Sequence, residues 1–96
     1  MRVIAKKTLR LFWETHRAAM GPLLAWYREV SQEDWDGPAR VKEKYRSASF
    51  VGDRIVFNIK GNDFRLVVRV DYGHRIVFVR FIGTHEQYDS IDVEEV

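Results

Sequence analysis

The sequence predicts an α+β fold: two or three N-terminal helices packed on one face of a small, mainly antiparallel sheet. Three observations carry this reading. Apolar residues recur at helical spacing near the start of the chain, at Leu9, Phe12 and Trp13 and then at Leu23, Leu24, Trp26, Tyr27 and Val30. Three later stretches, DRIVFNIK (53–60), FRLVVRVDY (64–72) and RIVFVRFI (75–82), are rich in β-branched and aromatic residues and are punctuated by GND and GH. Such runs, split by turn residues, read as an antiparallel meander. In the middle stretch Phe64, Leu66, Val68 and Val70 fall on one face, while Arg65, Val67, Arg69 and Asp71 fall on the other, as in a strand with one face against a core.

The elements follow in order. RVI at 2–4 reads as a short strand. From Ala5 the apolar stripe runs through Leu9, Phe12, Trp13 and His16 to Met20, with Lys6, Arg10 and Arg17 on the other side. Gly21-Pro22 is expected to break this run and open a second helix, because proline is tolerated at a first helical position. SQEDWDGP at 31–38 reads as a loop with Trp35 tucked into the core, and PARVKEKYR at 38–46 suits a short third helix. The three strands come next. THEQ at 84–87 fits a capping box, with Thr84 as N-cap and Gln87 three residues into a closing helical turn.

Composition bounds the rest. Ninety-six residues make one domain, 1–96, with 46% hydrophobic and 14% aromatic residues to fill a core. The chain has no cysteine, which excludes a disulfide scaffold, a thiolate metal site and a Cys nucleophile, and suits a cytoplasmic protein. No apolar run approaches the roughly 20 residues that span a bilayer, and MRVIAKKTLR lacks the apolar core of a signal peptide. The net charge of +2 is unevenly spread. All 16 Lys and Arg lie in residues 1–83, whereas Glu86, Asp89, Asp92, Glu94 and Glu95 form a tail without a cation. A basic body suits a polyanionic partner; the plain alternatives are ordinary solubilising residues and a solvated acidic end.

Two groups of residues have the composition of a site. Arg65 and Arg69 share the strand face turned from the helices, with Lys60 across a turn and Arg80 on the following strand. Arginines on a strand are usually plain surface, but several fixed cations on one sheet face also grip phosphates through the planar guanidinium fork. The strand bearing Arg80 is apolar on both faces, so its parity stays open. The second group is His85, Tyr88 and Asp89. Residues three apart lie on one side of a helical turn, so His85 and Tyr88 point together, with Asp89 near enough to orient either. They are either packing for the last turn or half of an active site. His16, His74 and His85 show no metal-ligand spacing, and His16, on the apolar stripe, reads as a core residue. The sequence has no P-loop, G-x-G-x-x-G or G-x-S-x-G.

With these segments in view, the chain resembles the HigB family of toxins from bacterial type II toxin–antitoxin modules, within the RelE/ParE superfamily. The resemblance covers nearly the whole chain. It is carried by IAKKTLRLFWE, PLLAWYREV, DW, YRSASF and, most specifically, VFNIKGNDFRLVVRV and RFIGTHEQYDSID. It implies a RelE-like fold and an mRNA interferase, an endoribonuclease that cuts mRNA during translation on the ribosome without metal or cofactor. Carried over by position, Lys60 and Arg65 are the phosphate-stabilising cations, His85 is the acid or base, and Tyr88 positions the substrate or stacks on a base. Asn62, Arg69 and Arg80 are further RNA contacts. The implied partners are mRNA, the ribosome and a cognate helix-turn-helix antitoxin of the HigA type, which would make any DNA contacts itself. The alternatives are a non-catalytic ParE-like toxin that inhibits DNA gyrase, and an RNA-binding module without chemistry.

Overall fold

A computed structural model describes residues 1–96. The elements run β1 (Arg2–Ile4), α1 (Lys6–Thr15), α2 (Met20–Ser31), α3 (Pro38–Lys44), β2 (Ser49–Val51), β3 (Arg54–Ile59), β4 (Phe64–Asp71), β5 (Ile76–Thr84) and α4 (His85–Asp89). The five strands form one mixed sheet of order β1-β5-β4-β3-β2. β1 lies parallel to β5, and the other neighbours are antiparallel. This is the α+β architecture that the sequence predicts. No helix is long and apolar enough to cross a membrane.

The helices bury their apolar stripes on one face of the sheet. Leu9 of α1, Leu23, Trp26 and Val30 of α2 and Val41 of α3 join Trp35, Ile55, Phe57, Ile59, Phe64, Leu66, Val68 and Val77 in one cluster. Spacings of three and four residues place the α2 members on one side of the helix. Pro38 opens α3 after an extended Gly37, a position where its missing N–H costs nothing.

The first helical run ends earlier than the Gly21-Pro22 pair suggests. α1 stops at His16, whose φ of −131° and ψ of 74° leave the helix while its N–H donates to the Phe12 carbonyl. The His16 ring stacks flat on Phe12, with centroids 4.1 Å apart. His16 is therefore a half-buried helix terminator and not a member of the core stripe. One 3₁₀ turn, Arg17–Ala19, leads into α2, so Gly21 and Pro22 sit in its first turn and Met20 is exposed. The short strand β2 has no counterpart in the sequence reading: it is three residues long and its Phe50 is exposed.

The sheet face away from the helices is not open, as the alternation on β4 suggested. Val56, Arg65 and Val67 on that face are buried too. The segment after β5 turns back across it. α4 lies against β4 and β5, and the chain runs on to β3, where Arg54 Nε and Nη2 donate to the Val96 carbonyl at 3.0 and 2.7 Å. The acidic tail is thus tied down at its far end.

β5 explains why the side of Arg80 was unreadable. Val68 pairs with Val79 and Val67 with Phe81, so Arg80 is the extra residue of a β-bulge and is exposed. A bulge shifts the phase of the side-chain alternation. Val77 and Val79 before it and Ile82 after it can therefore all pack on the helix side, while Phe78 and Phe81 take the other. Leu66, fully buried where β4 crosses the core, is the most direct probe of this packing. Leu66→Ala should cost about 2–5 kcal/mol, read as a lowered urea midpoint with an unchanged slope. A loss below 1 kcal/mol would contradict the packing.

Candidate active site

The register of β4 on β5 brings two turns together. Phe64 pairs with Thr84 and Arg65 with Gly83, so the β3–β4 turn (60–63) lies beside the start of α4. A backbone bond fastens them: His85 N–H donates to the Asp63 carbonyl at 3.1 Å. Thr84 closes the predicted capping box. Its Oγ1 accepts from Gln87 N–H at 3.2 Å, and Gln87 Oε1 accepts from Thr84 N–H at 2.9 Å. Gly83 sits where space is tight. A Cβ at that position would stand 2.5 Å from Phe81 Cζ and 2.9 Å from Gln87 Oε1, closer than packed atoms tolerate.

The β3–β4 turn is built from two left-handed residues, Lys60 (φ 52°) and Gly61 (φ 62°). Glycine adopts this region freely, whereas a side chain costs about 1–2 kcal/mol there. Lys60 Nζ lies 3.4 Å from Asp63 Oδ2, and both groups are about half exposed, so the pair itself contributes little.

Arg65 is the unusual group. It is only 9% exposed, yet no carboxylate lies within ion-pair range of it. Its acceptors are neutral: Nη1 donates to the carbonyls of Asn62 (3.1 Å) and Phe64 (3.3 Å), and Nη2 donates to Asn62 Oδ1 (2.7 Å). The Tyr88 ring lies 5.8 Å from Arg65 Cζ, within cation–π range. Buried charges are normally paired; this one is held in place by dipoles and a ring. A guanidinium has five N–H donors, so these bonds leave donors free for an incoming anion.

His85 stands on the neighbouring wall. Together with Asn62, Asp63, Phe64, Thr84 and Glu86 it lines an open groove of about 600 Å³. Its Nε2 lies 3.6 Å from Asp89 Oδ2, so the carboxylate that the sequence sets near His85 is close to it. Asn62 and Tyr88 therefore each touch the Arg65 guanidinium, and His85 faces the same turn.

The remaining cations do not join them. Arg69 sits four residues along β4, roughly 13 Å away at the rise of a strand. It lies opposite Arg54 with its guanidinium 4.8 Å over the Phe78 ring. Arg80 points outward from the bulge. Two residues that sequence reasoning passed over prove structural to the site. One is Asp63, whose carbonyl anchors α4 and whose carboxylate meets Lys60. The other is Gly83, whose place inside a strand pattern is itself a mark of close approach. No group of three or more His, Asp or Glu is placed to hold a metal ion.

A family model described as HigB_toxin, the RelE-like toxic component of a toxin-antitoxin system, matches residues 19–91. A search of curated proteins finds no match. The match spans every site residue described above.

The Gly83 contacts yield a direct test. Gly83→Ala should push the Phe81 ring and the Gln87 amide aside, loosen the α4 cap and cost about 1–3 kcal/mol. The α4 amides should lose hydrogen-exchange protection, while those of β3 keep theirs. Equal protection in both proteins would show that the cap does not depend on the missing side chain.

Proposed function

Because the chain belongs to the HigB family of RelE-like toxins from toxin–antitoxin systems, we propose that it is an endoribonuclease that cuts mRNA during translation. In this reading it works without a metal ion, in the cytoplasm, on the ribosome, and is neutralised by a cognate helix-turn-helix antitoxin of the HigA type. The family implies an antitoxin partner. The observation that carries the catalytic reading is the buried, acid-free guanidinium of Arg65 beside the groove that bears His85.

The reaction suited to these groups is internal transfer at phosphorus. The ribose 2′-oxygen attacks the adjacent phosphorus as a base removes its proton. The bond from phosphorus to the 5′-oxygen breaks, and an acid protonates that oxygen. The products are a 2′,3′-cyclic phosphate and a 5′-hydroxyl. Negative charge grows on the non-bridging oxygens in the transition state, and a fixed donor aimed at that charge is worth a factor of 10²–10³. Arg65 supplies it, pre-oriented by Asn62 and by the carbonyl of Phe64, so little reorganisation accompanies the reaction. Lys60, on the strained turn, adds a second positive charge. His85, oriented by Asp89, serves as the acid or base, a role worth about 10²–10⁴. Tyr88 holds the guanidinium with one face of its ring and offers its edge or hydroxyl to the RNA. Asn62 lies where it can touch the substrate as well as Arg65. Arg69 and Arg80, away from the centre, contact flanking phosphates and set affinity more than rate.

Two tests follow. Arg65→Ala and His85→Ala should each lower cleavage at least about 100-fold and abolish growth arrest on induction. Undiminished arrest in both variants, or unbroken transcripts accompanied by gyrase-dependent DNA damage, would overturn the nuclease reading. Lys60→Gly separates function from folding. It relieves the left-handed strain, so stability should hold or rise by up to about 1 kcal/mol, while cleavage falls at least tenfold. A variant that is more stable and equally active would remove Lys60 from the site.

A further inference from the structure

β1 pairs with β5 only as far as Phe78, so from Val79 to Thr84 the outer edge of β5 carries no strand. α1 packs against β5 on one side of this edge and α4 on the other. Between them lies an open groove of about 650 Å³, lined by Thr8, Leu11, Phe12, Ile82, Gln87 and Ile91 among others. Leu11, 53% exposed, is the most exposed large apolar side chain of the protein. The backbone at the floor of the groove is unpaired as well. His85 N–H donates to the Asp63 carbonyl, which makes Asp63 and His85 a bonded pair of the β4–β5 ladder. Bonded and non-bonded pairs alternate along an antiparallel ladder. Arg65 with Gly83 is therefore bonded, and Leu66 with Ile82 is not. The N–H and C=O of Ile82 turn away from β4, out to the bare edge. Thr84 N–H turns outward too, but Gln87 Oε1 takes it.

We propose that this groove receives an extended segment of the cognate antitoxin, which adds to the sheet as a strand beside Ile82. The inference rests on the antitoxin that the family implies, not on the nuclease chemistry. A bare sheet edge binds an extended chain through main-chain hydrogen bonds, and the surfaces beside it take alternate side chains. Here one row of side chains meets Leu11 and Phe12 and the other meets Phe81 and Ile91, so the segment is apolar on both faces. Charge selects among occupants. No Lys, Arg, Asp or Glu lines the groove, whereas RNA binding depends on cations set against phosphates. The helix beside it is basic: Lys6, Lys7, Arg10 and Arg17 are exposed on α1 and the turn after it, against Glu14 alone. A second copy of the chain would bring that face against its like, while a segment with acids flanking its apolar run meets it favourably. The position also accounts for inhibition. One end of the groove is lined by His16, whose ring meets that of Phe64 with centroids 6.3 Å apart, and Phe64 lines the groove that bears His85. A strand seated here ends at the mouth of the candidate site, where RNA would enter.

The test is residue-resolved amide hydrogen exchange, measured on the free toxin and on its complex with the cognate antitoxin, together with antitoxin binding by Leu11→Lys. The Ile82 amide should exchange rapidly in the free protein and at least about tenfold more slowly in the complex. The Gly83 amide, bonded to β4, should be slow in both. Leu11→Lys, at an exposed helical position, should unfold at the temperature of the unaltered protein. It should bind the antitoxin at least about tenfold more weakly, and its growth arrest should persist when the antitoxin is co-expressed. A complex in which Ile82 exchanges as fast as in the free protein, or undiminished binding by Leu11→Lys, overturns the groove as the docking site and leaves the antitoxin reading standing. Slow exchange of Ile82 in the free protein that deepens with its concentration assigns the edge to a second copy and overturns the proposal as well. Absence of any complex overturns both the groove and the antitoxin reading.

Discussion

The pairing of β4 with β5 is the constraint on which the rest of the molecule depends. β4 is buried on both faces over Phe64–Val68, so a slip of one residue would exchange Leu66 and Val68 for Arg65 and Val67 in the core. The register also sets Arg65 opposite Gly83 and brings the Lys60–Asp63 turn against the start of α4. The core and the candidate site are therefore two consequences of one alignment. The bulge at Arg80 reconciles them. It lets β5 keep valines toward the helices before the bulge and still present Gly83 to Arg65 after it.

Charge is distributed along the covered sheet face in a way that composition does not reveal. The tail that follows α4 brings Glu94 against Gly52 and ends on Arg54, at the end of the sheet where Arg69 also lies. Acidic and basic residues are thus close together at that end. At the opposite end Arg65 has only carbonyls, an amide and an aromatic ring for company. Burying such a group without an acid disfavours folding, since neutral acceptors answer its hydrogen bonds but not its charge. In the proposed reaction a transferring phosphoryl group would supply the missing negative charge, and stability given up in the empty protein would return as attraction for the transition state.

Much of this was legible from residues, and the failures have definite causes. The strands β3, β4 and β5 announced themselves through branched and aromatic runs between turn residues. Trp35 was placed in the core, and Thr84 with Gln87 was read as the cap it is, because a capping box is local chemistry. The end of α1 is not legible because His16 looks like part of an apolar stripe; its stacking on Phe12 is visible only in three dimensions. β2 leaves no signal in the sequence because three residues with one exposed phenylalanine carry no period. The second sheet face reads as open from sequence because alternation along β4 says nothing about what a distant segment lays over it. For the same reason one basic patch was expected where the structure has a buried Arg65 and a separate Arg69. Asp63 gave no warning, since its part is played largely by a backbone carbonyl.

The chemistry of the RNA ends tests the central claim most directly, namely that Arg65 and His85 promote attack by the ribose 2′-hydroxyl. Transcripts isolated shortly after induction can be ligated selectively according to whether they end in a 5′-hydroxyl or a 5′-phosphate. The account predicts new 5′-hydroxyl ends matched by upstream fragments carrying a 2′,3′-cyclic phosphate, both absent when Arg65 is replaced by alanine. Transcripts that stay intact, or new ends that bear a 5′-phosphate, would contradict it.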